Sequence, residues 1–276
     1  MTEKFSVRKY LRNIEMPFCA GCGIFTVMNT FLRAVHELGH EDLNKFVFCS
    51  GIGCSAWIPS PHFIADSVHT PHGRSIPVAM GIKLLRPKIN VVVFGGDGDI
   101  VGIGLSHFIH AARRNLDVLV IMVNNMIYGM TGGQVAPTTP FKARTTTTPY
   151  GNFENPLDAA RLAVTVGACY VSRWTTIHQN ELKESIKKAI EKKGFRFIEV
   201  VSQCPTAFGR RVGFKDAGEM LKWFKENAIS IGQAEKLSDD ALAHKIVVGE
   251  FIQRQRPTFV DNVYETVKEA QKIDEN

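Results

Sequence analysis

One segment limits the fold more than any other. An apolar stretch, Val91–Phe94, runs into Gly95-Gly96-Asp97-Gly98-Asp99, a helical pattern follows, and a second apolar stretch, Val118–Val123, ends in Asn124-Asn125. Strands joined by such a crossover pair in parallel, and their carboxyl ends open into a crevice where ligands gather. The polar residues that close both strands are therefore expected to meet there. Around this unit, strand-like runs at Lys45–Cys49, Val164–Val171 and Arg196–Ser202 alternate with helical spacing over Ile24–Leu38, Ile76–Leu85, Val101–Arg113, Leu157–Ala163 and Ile177–Glu191. The expected class is α/β, a parallel sheet flanked by helices.

Two stretches depart from the alternation. Thr131 to Pro156 is rich in Thr, Gly and Pro and too long for an ordinary connection, which points to a functional loop. Helical spacing returns over Glu219–Glu226. Residues 1–226 are read as one α/β domain and 227–276 as a C-terminal arm or subunit-contact segment.

Composition removes several classes. Hydrophobic residues make up 45% and charged residues 22%, values of a globular chain and not a disordered one. The longest apolar run, Val118–Val123, is far short of the roughly 20 residues that span a bilayer. Met1 to Arg12 carries no apolar secretory core, so a cytoplasmic protein is expected. A net charge of +6 fits nucleic acid or an acidic protein partner equally well, but no basic run of five appears, which argues against nucleic acid.

Asp97 offers a carboxylate, Asn125 a side-chain carbonyl and Ile127 a main-chain carbonyl, the hard oxygen donors that Mg²⁺ takes alongside phosphate oxygens. Glycines beside Asp97 let backbone approach a diphosphate, and the following helix start favours an anion. Either motif alone could be an ordinary turn; paired across one crossover unit they argue for a metal–diphosphate site. A nicotinamide-type site is the competing reading, but its Gly-x-Gly-x-x-Gly is missing. Six cysteines are too few for a disulfide scaffold. Cys19 and Cys22 form Cys-x-x-Cys, and Cys54 and Cys204 would complete four ligands if their loops converge. Spacing alone leaves zinc, an iron–sulfur cluster and no metal equally open. Cys49 and Cys169 lie in apolar runs and read as buried packing residues.

Gly96-Asp97-Gly98 followed by Asn125 is similar to the diphosphate motif of thiamine diphosphate enzymes. The longer pattern, from Gly95 to Asp99 and from Asn124 to Gln134, resembles the β subunit of 2-oxoacid:ferredoxin oxidoreductases. Met16 to Gly23, Ser50 to Ser55, His72-Gly73-Arg74, Pro137 to Pro140 and Cys204-Pro205-Thr206 match that family too, so the likeness runs from about residue 13 to 226. It implies thiamine diphosphate and Mg²⁺ held through Asp97, Asn125 and the Ile127 carbonyl. It also implies diphosphate or ring contacts from Ile52, Gly53, Cys54, Ser55, His72, Gly98, Asp99, Gly129 and Met130. It turns the open cysteine reading toward one [4Fe–4S] cluster on Cys19, Cys22, Cys54 and Cys204.

The implied activity is oxidative decarboxylation of a 2-oxoacid, with coenzyme A taking the acyl group and ferredoxin the electrons. The segments around Phe208-Gly209-Arg210-Arg211 and Met220-Leu221-Lys222-Trp223 look most like the 2-oxoglutarate type. Trp57 brings no positive charge for a distal carboxylate, so pyruvate and branched 2-oxoacids stay open. The glutamate and domain that grip the aminopyrimidine lie on a separate α subunit in this family, which implies a hetero-oligomer. No acid or base of this chain is assigned to the activation step. The rival readings are a non-catalytic iron–sulfur electron carrier and a zinc-stabilised binding module.

Overall fold

The computed structural model describes residues 5–274. Helix α1 (Ile24–Glu37) leads into strand β1 (Phe46–Ser50), β2 (Asp66–His69), α2 (Ser75–Leu85) and β3 (Asn90–Gly96). A π-helical turn, Gly98–Ile103, then precedes α3 (Leu105–Arg113) and β4 (Leu119–Asn124). After the long segment come α4 (Ala159–Thr165), β5 (Tyr170–Thr175), α5 (Gln179–Glu191) and β6 (Arg196–Val201). A second π-helical turn, Pro205–Gly209, runs into the short α6 (Arg210–Val212), followed by α7 (Ala217–Asn227), β7 (Ala228–Ser230), α8 (Ile231–Ala234), α9 (Asp239–Leu242), β8 (Ile246–Gln253) and α10 (Phe259–Asp274).

The eight strands form one sheet in the order β2-β1-β3-β4-β6-β5-β8-β7. Every pairing is parallel except β5 with β8. Alternation along the central strands feeds two cores on opposite faces. Val92 and Phe94 of β3, with Leu119, Ile121 and Val123 of β4, join Phe31, Phe46, Phe48 and Phe63 beneath α1 and α5. Val91, Val93, Val118, Val120 and Met122 face the other way, onto Phe108 and the small residues of α4. The parallel α/β expectation holds. Among the described residues no helix is long and apolar enough to cross a membrane.

The reading of Val164–Val171 as a strand is wrong. Val164 and Thr165 end α4, and Gly167 (φ 103°) donates to the Val164 carbonyl while Ala168 donates to that of Ala163. That Schellman stop lies hidden in an apolar run, and β5 begins only at Tyr170. The helix expected over Val101–Arg113 is also divided: Gly102 is non-helical, so the π-helical turn stops before α3 starts. Residues 227–276 supply β7, β8 and α10, and β8 extends the main sheet by pairing antiparallel with β5.

Candidate cofactor cleft and thiol cluster

The parallel register brings the ends of β1, β3, β4 and β6 to one edge of the sheet, and each is followed by a loop that carries polar residues or sulfur. A cleft of about 550 Å³ opens there. Ile52, Gly53, Cys54 and Ser55 from the loop after β1 line it, with His72 from the loop after β2. Asp97, Gly98 and Asp99 after β3, and Asn125, Ile127, Gly129 and Met130 after β4, complete the wall. Every residue assigned from sequence to the oxygen side of the site thus faces one cavity. Of the four cysteines only Cys54 lines the cleft.

Asp97 is 2% exposed and accepts a hydrogen bond from Thr138 Oγ1. Burial pushes its carboxyl up to about 7, although hydrogen bonds from Thr138 and the Gly98 backbone pull the other way. A divalent cation would offset that desolvation, and a buried carboxylate beside an amide oxygen is the donor set Mg²⁺ prefers. Opposite, the turn after β4 is held from several sides. Met126 sits in the left-handed region (φ 63°), with its N–H donating to Asn124 Oδ1 at 3.0 Å and its carbonyl accepting from Thr139 Oγ1 at 2.7 Å. Asn125 Oδ1 accepts from the Ile127 N–H at 3.3 Å.

A buried charge chain lies under this turn. The Asn124 Nδ2 donates to Glu199 Oε1 at 2.7 Å, and Arg173 Nε donates to Glu199 Oε2 at 2.7 Å. Arg173 also pairs with Asp158, the N-cap of α4. Tyr128 crosses to the β3 side, where its hydroxyl donates to the Gly98 carbonyl at 3.2 Å. A Cβ on Gly98 would fall 2.1 Å from the Tyr128 ring, so only glycine admits that contact.

The cysteine loops are brought together by a different device. A Cβ on Gly23 would fall 2.3 Å from Ser202 Oγ, and the Gly23 N–H donates to the Gln203 carbonyl at 3.1 Å. The Cys19–Cys22 loop is thereby locked against the residues that lead into Cys204. Burial first, and then charge repulsion from Cys204, Cys54 and Cys19, push the Cys22 thiol up to about 12 against a backbone hydrogen bond from Ile24. Cys54 is pushed up to about 11, by burial first and then by Cys204 and Cys19. Cys22 thus feels the charge of the other three cysteines, and Cys54 that of Cys204 and Cys19. A Cβ on Gly129 would lie 3.8 Å from both Cys54 Sγ and Cys204 Sγ and 3.5 Å from Asn125 Nδ2. This glycine separates the oxygen side from the sulfur side.

Among the described residues no three His, Cys, Asp or Glu side chains are gathered as ligands of one metal ion. Cys49 and Cys169 are buried away from this group, Cys49 within β1 and Cys169 donating to Asn115 Oδ1 at 2.9 Å. Sequence reasoning missed Thr138, Tyr128 and the Asn124–Glu199–Arg173 chain. Thr138 and Tyr128 fall within the matched motifs, so a signal was present; Glu199 and Arg173 sit in ordinary strand patterns and gave none.

Residues 51–200 match the thiamine pyrophosphate enzymes, C-terminal TPP-binding domain, so the fold and the cleft belong to that class of protein. The chain is 50% identical over 262 residues to a 2-oxoglutarate synthase subunit KorB of Methanocaldococcus jannaschii, covering 94% of this chain and 96% of that one. A 2-oxoacid:ferredoxin oxidoreductase subunit beta of Saccharolobus solfataricus is 45% identical over 192 residues, 68% of this chain and 62% of the relative. Among solved structures, the 2-oxoglutarate:ferredoxin oxidoreductase of Magnetococcus marinus, with 2-oxoglutarate, coenzyme A and succinyl-CoA bound, superposes with a TM-score of 0.85 at 33% identity. That match covers 98% of this chain and 92% of the other. The chain belongs to the 2-oxoacid:ferredoxin oxidoreductase β-subunit family.

Proposed function

We propose that this chain is the β subunit of a 2-oxoglutarate-type oxidoreductase, with Mg²⁺ and thiamine diphosphate in the cleft and a [4Fe–4S] cluster on Cys19, Cys22, Cys54 and Cys204. The observation that carries the reading is the position of Gly129, in reach of Asn125 on one side and of two sulfurs on the other. An electron carrier or a zinc module would have no use for a buried carboxylate and a braced turn beside its cysteines.

Overall, a 2-oxoacid and coenzyme A give acyl-coenzyme A, CO₂ and a proton, and two electrons pass singly to two ferredoxins. Thiamine diphosphate supplies the electron sink for decarboxylation, and the cluster supplies a one-electron acceptor. This chain's residues set the stage. Asp97, Asn125 and the Ile127 carbonyl offer the metal its oxygens, and the bonded Met126 turn holds two of those three in place. With no side chain at Gly129, the two groups could approach each other closely. Ile52, Gly53, Cys54, Ser55, Gly98 and Met130 wall the cofactor from water, and His72 stands where it can meet the anionic end.

Among the described residues lining the cleft there is no Lys or Arg. The counter-charge for the distal carboxylate of 2-oxoglutarate, and the glutamate for the aminopyrimidine, come from the α subunit. A 2-oxoglutarate preference is supported by the KorB relatives, which are 2-oxoglutarate synthase subunits, and by the ligands of the Magnetococcus marinus complex. The +6 balance suits steering of an acidic ferredoxin.

The test is anaerobic purification with the partner subunit, followed by iron and sulfide analysis and absorption spectroscopy. Iron and sulfide in the ratio of a [4Fe–4S] cluster are expected, and the visible band should bleach on adding 2-oxoglutarate and coenzyme A. A colourless protein with one zinc would remove the cluster. Bleaching with pyruvate and none with 2-oxoglutarate would move the substrate.

A further inference from the structure

Asp99 is conspicuous because its carboxylate lines the cleft yet is already engaged. It is 1% exposed. Its Oδ1 accepts from the Gly73 N–H at 2.7 Å and the Ile52 N–H at 3.3 Å, and lies 2.6 Å from His72 Nδ1. Its Oδ2 is sealed from solvent and has no hydrogen-bond partner among the described residues. A Cβ on Gly51 would fall 2.2 Å from that oxygen, so the loop after β1 closes over it only because residue 51 is glycine. One side chain thus ties together the loops after β1, β2 and β3.

His72 is the half-exposed member, with 31% of its side chain open. Its ring meets Tyr128 edge to face, with centroids 6.1 Å apart. Oδ1 of Asp99 is an acceptor toward two backbone N–H groups, so Nδ1 of His72 satisfies the short contact by donating. Nε2 is then the nitrogen left for the cleft, and no protein group among the described residues hydrogen-bonds it. A carboxylate that fixes tautomer and ring angle from behind is a recurrent way to prepare a functional histidine.

We infer that Asp99 is a positioning residue: it does not touch the diphosphate with its carboxylate but acts through His72, whose Nε2 it aims at the anionic end of the cofactor. This rests on the reading of the cleft as the diphosphate site.

The test is a double-mutant cycle on the assembled complex, stripped of cofactor, with thiamine diphosphate titrated calorimetrically in excess Mg²⁺. Asp99→Asn keeps an acceptor for the two backbone N–H groups and removes the charge behind the ring. It should weaken thiamine diphosphate by roughly 10- to 100-fold. His72→Phe preserves the ring against Tyr128 and removes both nitrogens, and should weaken binding at least as much. The double variant should bind no worse than His72→Phe alone, because the carboxylate has nothing left to act on.

Additive losses would overturn the inference, as would unchanged binding in Asp99→Asn. Unchanged binding in His72→Phe would overturn it without any alteration of the buried carboxylate, so a folding defect in Asp99→Asn cannot shelter it. A wild-type complex that bound no thiamine diphosphate would instead overturn the reading of the cleft, and this inference with it.

Discussion

The oxygen side and the sulfur side of this site share one sheet edge and are built on opposite plans. The oxygen ligands come from a single crossover unit, β3 to β4, and are braced before anything binds: Met126 by Asn124 and Thr139, Asp97 by Thr138, Asn124 by Glu199. The sulfurs come from loops as far apart in sequence as Cys19 and Cys204, and are brought together mainly by close backbone approach at Gly23. Backbone N–H groups favour the thiolates of Cys22 and Cys54, but burial first and then mutual repulsion outweigh them and hold both as thiols. The oxygen half is shaped by internal hydrogen bonds, whereas under the proposed reading the sulfur half would take its charged form only as a metal displaced the protons.

The largest expected effect attacks the oxygen half. Asp97→Ala removes the buried carboxylate proposed to hold Mg²⁺, a loss of about 3 kcal/mol or more, or at least a hundredfold in affinity. Thiamine diphosphate retained by the purified complex should fall to background while its iron content stays at the wild-type level. Loss of both would mean that the halves are not separable.

Gly23→Ala attacks the sulfur half without touching a sulfur. The new Cβ would overlap Ser202 Oγ at 2.3 Å and push the Cys19–Cys22 loop away from Cys204. Overpacking of this kind costs about 1–3 kcal/mol, so the chain should fold. Iron and sulfide analysis should show most of the cluster lost, with binding of thiamine diphosphate reduced far less. Full iron occupancy would show that the loop contact does not set the cysteine spacing.

Gly129→Ala is subtler and addresses the boundary. Its Cβ would meet both sulfurs and Asn125 at ordinary contact distances, so stability should change by less than about 1 kcal/mol. Both groups should still bind, and the visible effect should be slower bleaching of the cluster band by 2-oxoglutarate and coenzyme A. An unchanged bleaching rate would sever the proposed contact between the halves.

The same contrast governs how much could be read from sequence. Asp97, Asn125 and Ile127 belong to strand ends whose apolar runs are unmistakable, and chain topology alone brings them together. The α/β class follows from those runs as well. The short edge strand β2 carries an exposed pattern, and β8 depends on pairing with β5, so neither announces itself locally. Val164–Val171 misleads because helix α4 and strand β5 are both buried, and an apolar run says nothing about period. The cysteines could be nominated but not assembled. Gly23 against Ser202 is a contact between distant loops, and no spacing rule contains it.

The smallest effect concerns the cysteine that the comparison leaves out. Cys49 lies in β1, fully buried, and burial alone raises its thiol to about 12, with none of the neighbouring-cysteine repulsion felt at Cys22. A thiol whose folded value lies above the ordinary 9.0 carries less thiolate at any working pH, so its alkylation at pH 8 should be negligible in the native protein and should rise only as pH approaches 12. Cys49→Ala removes one sulfur from a packed strand, a cost of about 1 kcal/mol. Iron content, thiamine diphosphate content and turnover should all match the wild type. Mass spectrometry of the alkylated native protein, together with iron analysis of the variant, checks both halves of that statement. Lost iron would mean that Cys49, and not one of the four nominated sulfurs, belongs to the metal.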